Sequence, residues 1–110
     1  MNSRTAIIPS DGQPLRLERA FIRRTVLDGA DLTEANLTRA DMTGASARGA
    51  NFKNTILNKT IMRGVDLTGA LNITVDQLAD ALIDDTTILP NYIDRAAVER
   101  LQRARRGGLL

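Results

Sequence analysis

The chain has 110 residues, with 15 Lys and Arg against 13 Asp and Glu and a formal net charge of +2, and this length favours a single domain. Aromatic residues make up only 3 %, and Cys and His are absent, which excludes disulfides, thiolate metal sites and the commonest general base. No stretch is apolar enough to span a membrane and the first ten residues do not resemble a signal peptide, so we expect a cytoplasmic protein.

Residues 1–14 precede any regular pattern. Ile7 and Ile8 are followed by two prolines, a glycine and polar residues, which predicts a short extended piece and then a turn. This segment is either an N-terminal cap over whatever follows or an arm that binds a partner, and we favour the cap.

Residues 15–69 divide into eleven consecutive five-residue units without an insertion. The first residue of each unit is small or β-branched in all but one unit, and the fourth and fifth residues are almost wholly polar or Gly. The third residue is large and apolar in ten of the eleven units. These third positions form the predicted core: Leu17, Ile22, Leu27, Leu32, Leu37, Met42, Ala47, Phe52, Leu57, Met62 and Leu67.

A period of five fits neither a helix, which repeats every 3.6 residues, nor a plain strand, which repeats every two. It does fit a short extended piece that points its first and third residues inward, followed by a corner at the fourth and fifth. A chain that turns at every fifth residue winds into a coil. We therefore predict a solenoid in which stacked units share one core.

The units ADLTE, ANLTR, ADMTG and ANFKN, which begin at residues 30, 35, 40 and 50, resemble the repeats of the pentapeptide-repeat family. The resemblance implies a mainly β fold, a right-handed quadrilateral β-helix with four units per turn. Fifty-five residues would then make a short coil of roughly 2.75 turns. The resemblance does not imply one particular function.

Residues 70–90 are predicted to close the C-terminal end of the coil. Thr74 and Gln77 have the spacing of a capping box, and apolar residues follow at helical spacing. We expect a capping helix at about 75–83, then an extended segment that ends at Pro90. From residue 70 to residue 94 the chain carries five acidic side chains and no basic one.

Residues 91–110 are predicted to form a basic amphipathic helix as far as residue 106. Its apolar stripe is Ile93, Ala97, Leu101 and Ala104, and residues 95–106 carry five Arg and one Glu. The stripe needs cover, either from this chain's own coil, to whose acidic segment the arginines are attracted, or from a second copy. We favour a homodimer through this C-terminal region.

The predicted partner surface combines this helix with two outward side chains of the last full turn, Ile56 and Ile61. Either this chain's C-terminal segment covers those two isoleucines, which we favour, or a partner does. The complete set of candidate residues is Ile56, Ile61, Ile93, Ala97, Leu101, Ala104, Arg100 and Arg103.

No residue pattern supports catalysis, a cofactor or a metal, since the serines have no candidate base. The sequence favours a non-enzymatic scaffold or protein–protein interaction module that regulates by contact. One alternative, implied by the resemblance, is a DNA-mimic modulator of DNA gyrase, which the short coil and its excess of three positive charges disfavour. Another is attachment to nucleic acid or a membrane surface through the basic helix, which the lack of interleaved aromatic residues disfavours.

Overall fold

The computed structural model describes residues 12–106, so most of the predicted N-terminal cap lies outside the described residues. Two helices are present in that range, α1 at Val75–Asp80 and α2 at Arg95–Arg106. Outside the helices the chain pairs through isolated parallel bridges, and no extended strand occurs in residues 12–106. The mainly β prediction therefore holds as a ladder of single bridges separated by turns.

The bridges join residues twenty positions apart, such as Arg16 with Asn36 and Asn36 with Ile56. Four units therefore complete one turn of the coil. The Leu17 N–H donates to the Asn36 carbonyl at 2.8 Å, and the Asn36 N–H donates to the Leu15 carbonyl at 2.9 Å. The second residue of a unit thus bonds to the turn before it, while the first and third bond to the turn after it.

The coil has four sides, which we number in chain order. The first side is residues 15–19, 35–39 and 55–59; the second side is residues 20–24, 40–44 and 60–64; the third side is residues 25–29, 45–49 and 65–69; and the fourth side is residues 30–34, 50–54 and 70–74.

The core contains the predicted third positions from Leu27 to Leu67, all of them buried. Leu17 and Ile22, the third residues of the first two units, are only partly buried. Two first positions that carry Thr instead of Ala are also buried, and their hydroxyls remain hydrogen-bonded. Thr55 donates to the Leu32 carbonyl and Thr60 to the Leu37 carbonyl, each at 2.7 Å.

The preference for Asp or Asn at the second position comes from the corner that follows it. Asp41 Oδ1 accepts the Thr43 N–H at 3.0 Å and the Thr43 hydroxyl at 2.6 Å. Asn36 makes the same two contacts with Thr38. An acidic or amide oxygen therefore fixes the corner two residues later, as expected for an Asx turn.

The coil continues past its predicted end at residue 69. Leu71 bridges to Asn51, Leu82 to Ile61 and Ile88 to Asp66, with spacings of 20, 21 and 22 residues. An additional irregular turn therefore follows the eleven predicted units, and the predicted 2.75 turns were too few. α1 replaces one unit of this turn and lengthens the spacing by one residue.

The capping box that begins α1 is confirmed. Thr74 Oγ1 accepts the Gln77 N–H at 3.1 Å, and the Thr74 N–H donates to Gln77 Oε1 at 2.8 Å. Gln77 Nε2 also donates to the Phe52 carbonyl at 2.7 Å, which ties the helix to the coil. α1 ends at Asp80 and not at 83, because the Leu82 N–H donates to the Thr60 carbonyl and returns the chain to the ladder.

α2 begins at Arg95, four residues later than predicted, because residues 91–94 form the turn that leads into it. It packs against α1 of the same chain, and Val98 contributes a buried side chain to the core. Arg105 forms salt bridges with Asp76 and Asp80 of α1. The basic helix therefore folds back on the chain's own acidic segment, as the opposite charges allowed.

Truncating the Phe52 side chain tests whether the third residue of each unit faces the core. Phe52→Ala should lower the free energy of unfolding by about 3–5 kcal/mol, because it opens a cavity in a dense core. Lys53→Ala, one residue later and exposed, should change it by less than about 0.5 kcal/mol. Equal losses in denaturant titrations of the two variants would contradict the inward assignment of the third position.

The corner hydrogen bonds predict how stability depends on pH. The Thr43 and Thr68 side chains hold the pKa of Asp41 and Asp66 below its ordinary value, and Thr33 does so for Asp31. Each carboxylate therefore stabilises the folded chain above its ordinary pKa, and that stabilisation is lost as the pH falls through the lowered one.

A variant with Asn at all three positions should lose less stability than the natural chain between about pH 6 and about pH 3. Asn36 and Asn51 already occupy equivalent positions, so the substitution is compatible with the corner. Thermal melts across this range measure the effect. A drop in melting temperature that is the same in both proteins would show that these carboxylates do not contribute.

Candidate interaction surface

The structure separates the predicted partner residues into covered and exposed groups. Ile61 is partly buried, and Leu82 is its bridge partner in the next turn. Ile93, Ala97 and Leu101 are also partly buried, and Ile93 packs against the hydrophobic core. Cover by this chain, the alternative favoured for the two isoleucines, therefore holds for Ile61 and not for Ile56. Three of the four stripe residues are partly buried within the single chain, whereas the sequence favours a second copy as their cover.

The remaining predicted residues are exposed. Ile56 is 41 % exposed on the first side, and Ala104, Arg100 and Arg103 lie on the exposed surface of α2. Sequence reasoning missed Val98, the buried residue of this helix. Its position three residues before Leu101 is a helical spacing that could have identified it.

Most of the exposed large apolar side chains occupy outward bridge positions of the ladder. Phe21 is the most exposed, at 74 %, and the Arg23 guanidinium carbon lies 5.6 Å from its ring centroid. These side chains contribute nothing to the enclosed core. The set is Phe21, Val26, Ile56, Leu71, Leu82 and Ile88.

A column of cations follows one corner of the coil. Arg19, Arg39 and Lys59 are the fifth residues of the first-side units, one in each turn, and all three are exposed. We call these three residues the cation column. The Arg19 N–H donates to the Thr38 carbonyl, the Arg39 N–H to the Asn58 carbonyl and the Lys59 N–H to the Asp80 carbonyl, at 2.8–2.9 Å. The ladder thus stacks the three cations at a spacing of about 4.8 Å.

The backbone of the cation column lies in the left-handed region. The φ angles of Arg19, Arg39 and Lys59 are 61°, 61° and 55°. At the equivalent corner of the third side, Gly29, Gly49 and Gly69 have φ of 71°, 67° and 69°. Left-handed backbone costs an L side chain roughly 1–2 kcal/mol, a cost that Gly avoids. The cations therefore occupy corners where Gly would be better suited to folding.

Among residues 12–106 the cation column also lacks carboxylate partners. The salt bridges of residues 12–106 use Arg23, Arg48 and Arg105, and none of them includes a column residue. Of the charged residues in units 15–69, the first and second sides carry seven basic and two acidic, whereas the third and fourth carry two basic and four acidic. Positive charge is therefore concentrated on the two sides that meet next to the column.

The upper part of the column borders an open groove. Arg39 and Lys59 line it together with Thr38, Asn58 and Asp80. Asp80 is the one carboxylate in this lining, and its Oδ1 accepts from Arg105 of α2. A ligand at the groove would therefore meet two unpaired cations and one carboxylate that already has a partner.

Other kinds of site are not supported within residues 12–106. No group of three or more Asp, Glu, His or Cys in that range could hold a metal ion. Neither α1 nor α2 has the length and apolar character needed to cross a bilayer.

Comparison with known proteins agrees with the ladder. The family model for pentapeptide repeats matches eight copies across residues 16–49 and 35–71, about half of the chain. The chain belongs to the pentapeptide-repeat family. The crystal structure of the pentapeptide repeat protein Rfr23, from the cyanobacterium Cyanothece 51142, is similar at 27 % identity with a TM-score of 0.61. The alignment covers 70 % of this chain and 52 % of that one, so this chain spans about half of that length.

Comparison with curated proteins finds no match. The family match ends at residue 71, although the ladder of this pentapeptide-repeat chain continues to Ile88. α1, the irregular turn and α2 therefore lie outside the part that the family pattern describes, and so does the Asp80 end of the cation column.

The strain at the corners predicts unequal effects for two reciprocal substitutions. Gly49→Ala should lower the free energy of unfolding by about 1 kcal/mol, because the φ of Gly49 is +67°. The added Cβ meets nothing within 4 Å, so the loss comes from the backbone and not from a clash. Arg39→Gly should change it by less than about 0.5 kcal/mol, because relief of strain offsets the entropy of the freer unfolded chain. A large loss from Arg39→Gly in denaturant titrations would show that this side chain serves folding.

Proposed function

We propose that this pentapeptide-repeat protein is a non-enzymatic scaffold that acts by binding other proteins and regulates them by contact. The observation that carries the proposal is the set of apolar side chains at outward bridge positions, of which Phe21, Leu71 and Ile88 are more than half exposed. The first and third residues of the units already fill the core, so these side chains have no role in enclosing it. Apolar groups kept in water on a fixed frame favour contact with a partner.

The ladder supports the proposal because it holds surface groups in place. The backbone of every unit from residue 15 to residue 69 is hydrogen-bonded to a neighbouring turn. A partner that binds this surface therefore loses little affinity to ordering of the scaffold, since the groups are already positioned.

The two alternative functions have less support. A DNA mimic requires an acidic surface, whereas the first and second sides carry seven basic and two acidic residues. Attachment through the basic helix would use Arg100 and Arg103, which are exposed. However, the apolar stripe that a membrane would bind packs largely on this chain. Homodimerisation through the C-terminal region stays a prediction that molecular mass in solution would test.

The proposal is tested with a photo-crosslinking amino acid placed in the intact chain in its native cells. At Phe21, Ile56 or Ile88 it should give discrete adducts with other proteins on illumination, because these side chains face outward. Lys53 and Glu99, which are exposed and polar, are the control positions. The proposal fails if none of the three apolar positions gives an adduct, or if the control positions give the same adducts.

A further inference from the structure

We propose that the cation column, Arg19, Arg39 and Lys59, is a docking site for an acidic segment of a partner protein that also carries apolar side chains. The inference rests on the proposed function and assigns to it the chemistry of a partner. Its occupant is a carboxylate-rich stretch of polypeptide that lies along the corner between the first and second sides.

The first argument is that folding does not require these side chains. Each column residue holds a left-handed backbone, with φ between 55° and 61°, and no salt bridge within the described residues includes any of them. The fifth residues of all eleven units share this backbone, which Gly tolerates best. A cationic residue occupies this corner in three successive turns instead, whereas Gly occupies the equivalent corner of the third side in each turn.

The second argument is charge complementarity. Three unpaired cations stacked in register produce a positive potential along one line, and the surrounding sides add to it with seven basic residues against two acidic. Such a field attracts an anionic partner and orients it. From Arg19 to Lys59 the column covers two turn spacings, about 10 Å, a distance that three or four residues of extended polypeptide would span.

The third argument distinguishes an acidic polypeptide from a nucleic acid. The outward residues that follow the column by two positions are Phe21, Asp41 and Ile61, and Leu82 bridges to the last of them. Phe21 and Leu82 are exposed, at 74 % and 42 %. Apolar side chains beside the cations suit a partner that alternates carboxylates with apolar residues.

The test uses fluorescence anisotropy with a labelled peptide of alternating Glu and Leu, added to the full chain at low salt. The natural protein should bind this peptide, and added salt should weaken binding because the charges are exposed. It should bind a peptide of alternating Gln and Leu much more weakly. The triple variant Arg19→Gly, Arg39→Gly, Lys59→Gly should bind the acidic peptide about tenfold more weakly.

Two controls make the result specific. The variant Lys53→Gln, Arg100→Gln, Arg103→Gln has the same net charge as the column variant and should bind within about twofold of the natural chain. Thermal melts should show that the column variant keeps its melting temperature, since Gly suits the left-handed corners. A column variant that no longer folds would itself contradict the first argument.

Three results would overturn the proposal. The first is no binding of the acidic peptide by the natural chain. The second is equal weakening of binding in both triple variants, as unspecific attraction requires. The third is tighter binding of a labelled single-stranded oligonucleotide of equal charge than of the peptide, which would indicate a nucleic-acid site. Adducts from Phe21, Ile56 or Ile88 in cells would leave the proposed function standing in each of these cases, so the two failures are distinguishable.

Discussion

The backbone ladder between turns is the interaction on which every other feature of this coil depends. Each second residue bonds to the turn before it, and each first and third residue bonds to the turn after it. A unit therefore cannot slide along the paired unit of the next turn without breaking both hydrogen bonds that join them. This pairing sets the twenty-residue spacing and stacks equivalent positions directly above one another. It also forces a sharp corner in every unit, which places the fifth residue of all eleven units in the left-handed region.

The sequence was sufficient to predict the regular part of the coil, because a five-residue period maps directly onto inward and outward positions. It was insufficient where the period stops. Leu82 and Ile88 occupy ladder positions shifted by one and two residues, so a search at a fixed period cannot find them. The length of α1 depends on the same shift, since the ladder competes with the helix for Leu82. The helical spacing of apolar residues alone could not indicate whether Leu82 joins the helix or the ladder.

The candidate surface was only partly accessible from the sequence. Four units per turn place residues twenty positions apart above one another, so the sequence numbers alone put Arg19, Arg39 and Lys59 in one column. Their significance depends on two facts that arithmetic does not supply, the left-handed backbone and the lack of a carboxylate partner among the described residues. The apolar stripe was predicted from its helical spacing, but spacing did not indicate which residues are buried. Tertiary packing directs Val98 into the core and leaves Ala104 in water.

The C-terminal helix and the cation column are linked through Asp80. The Lys59 N–H donates to the Asp80 carbonyl, so the Asp80 carboxylate lies at the end of the column, where a lysine would otherwise be its natural partner. Arg105 of α2 binds both Asp76 and Asp80 and so provides the positive charge that Asp80 requires. One oxygen of the carboxylate that lines the groove with Arg39 and Lys59 is therefore already bound to α2. The contact that links α2 to α1 thus also offsets the negative charge of Asp80, which would otherwise oppose an acidic ligand at the cation column.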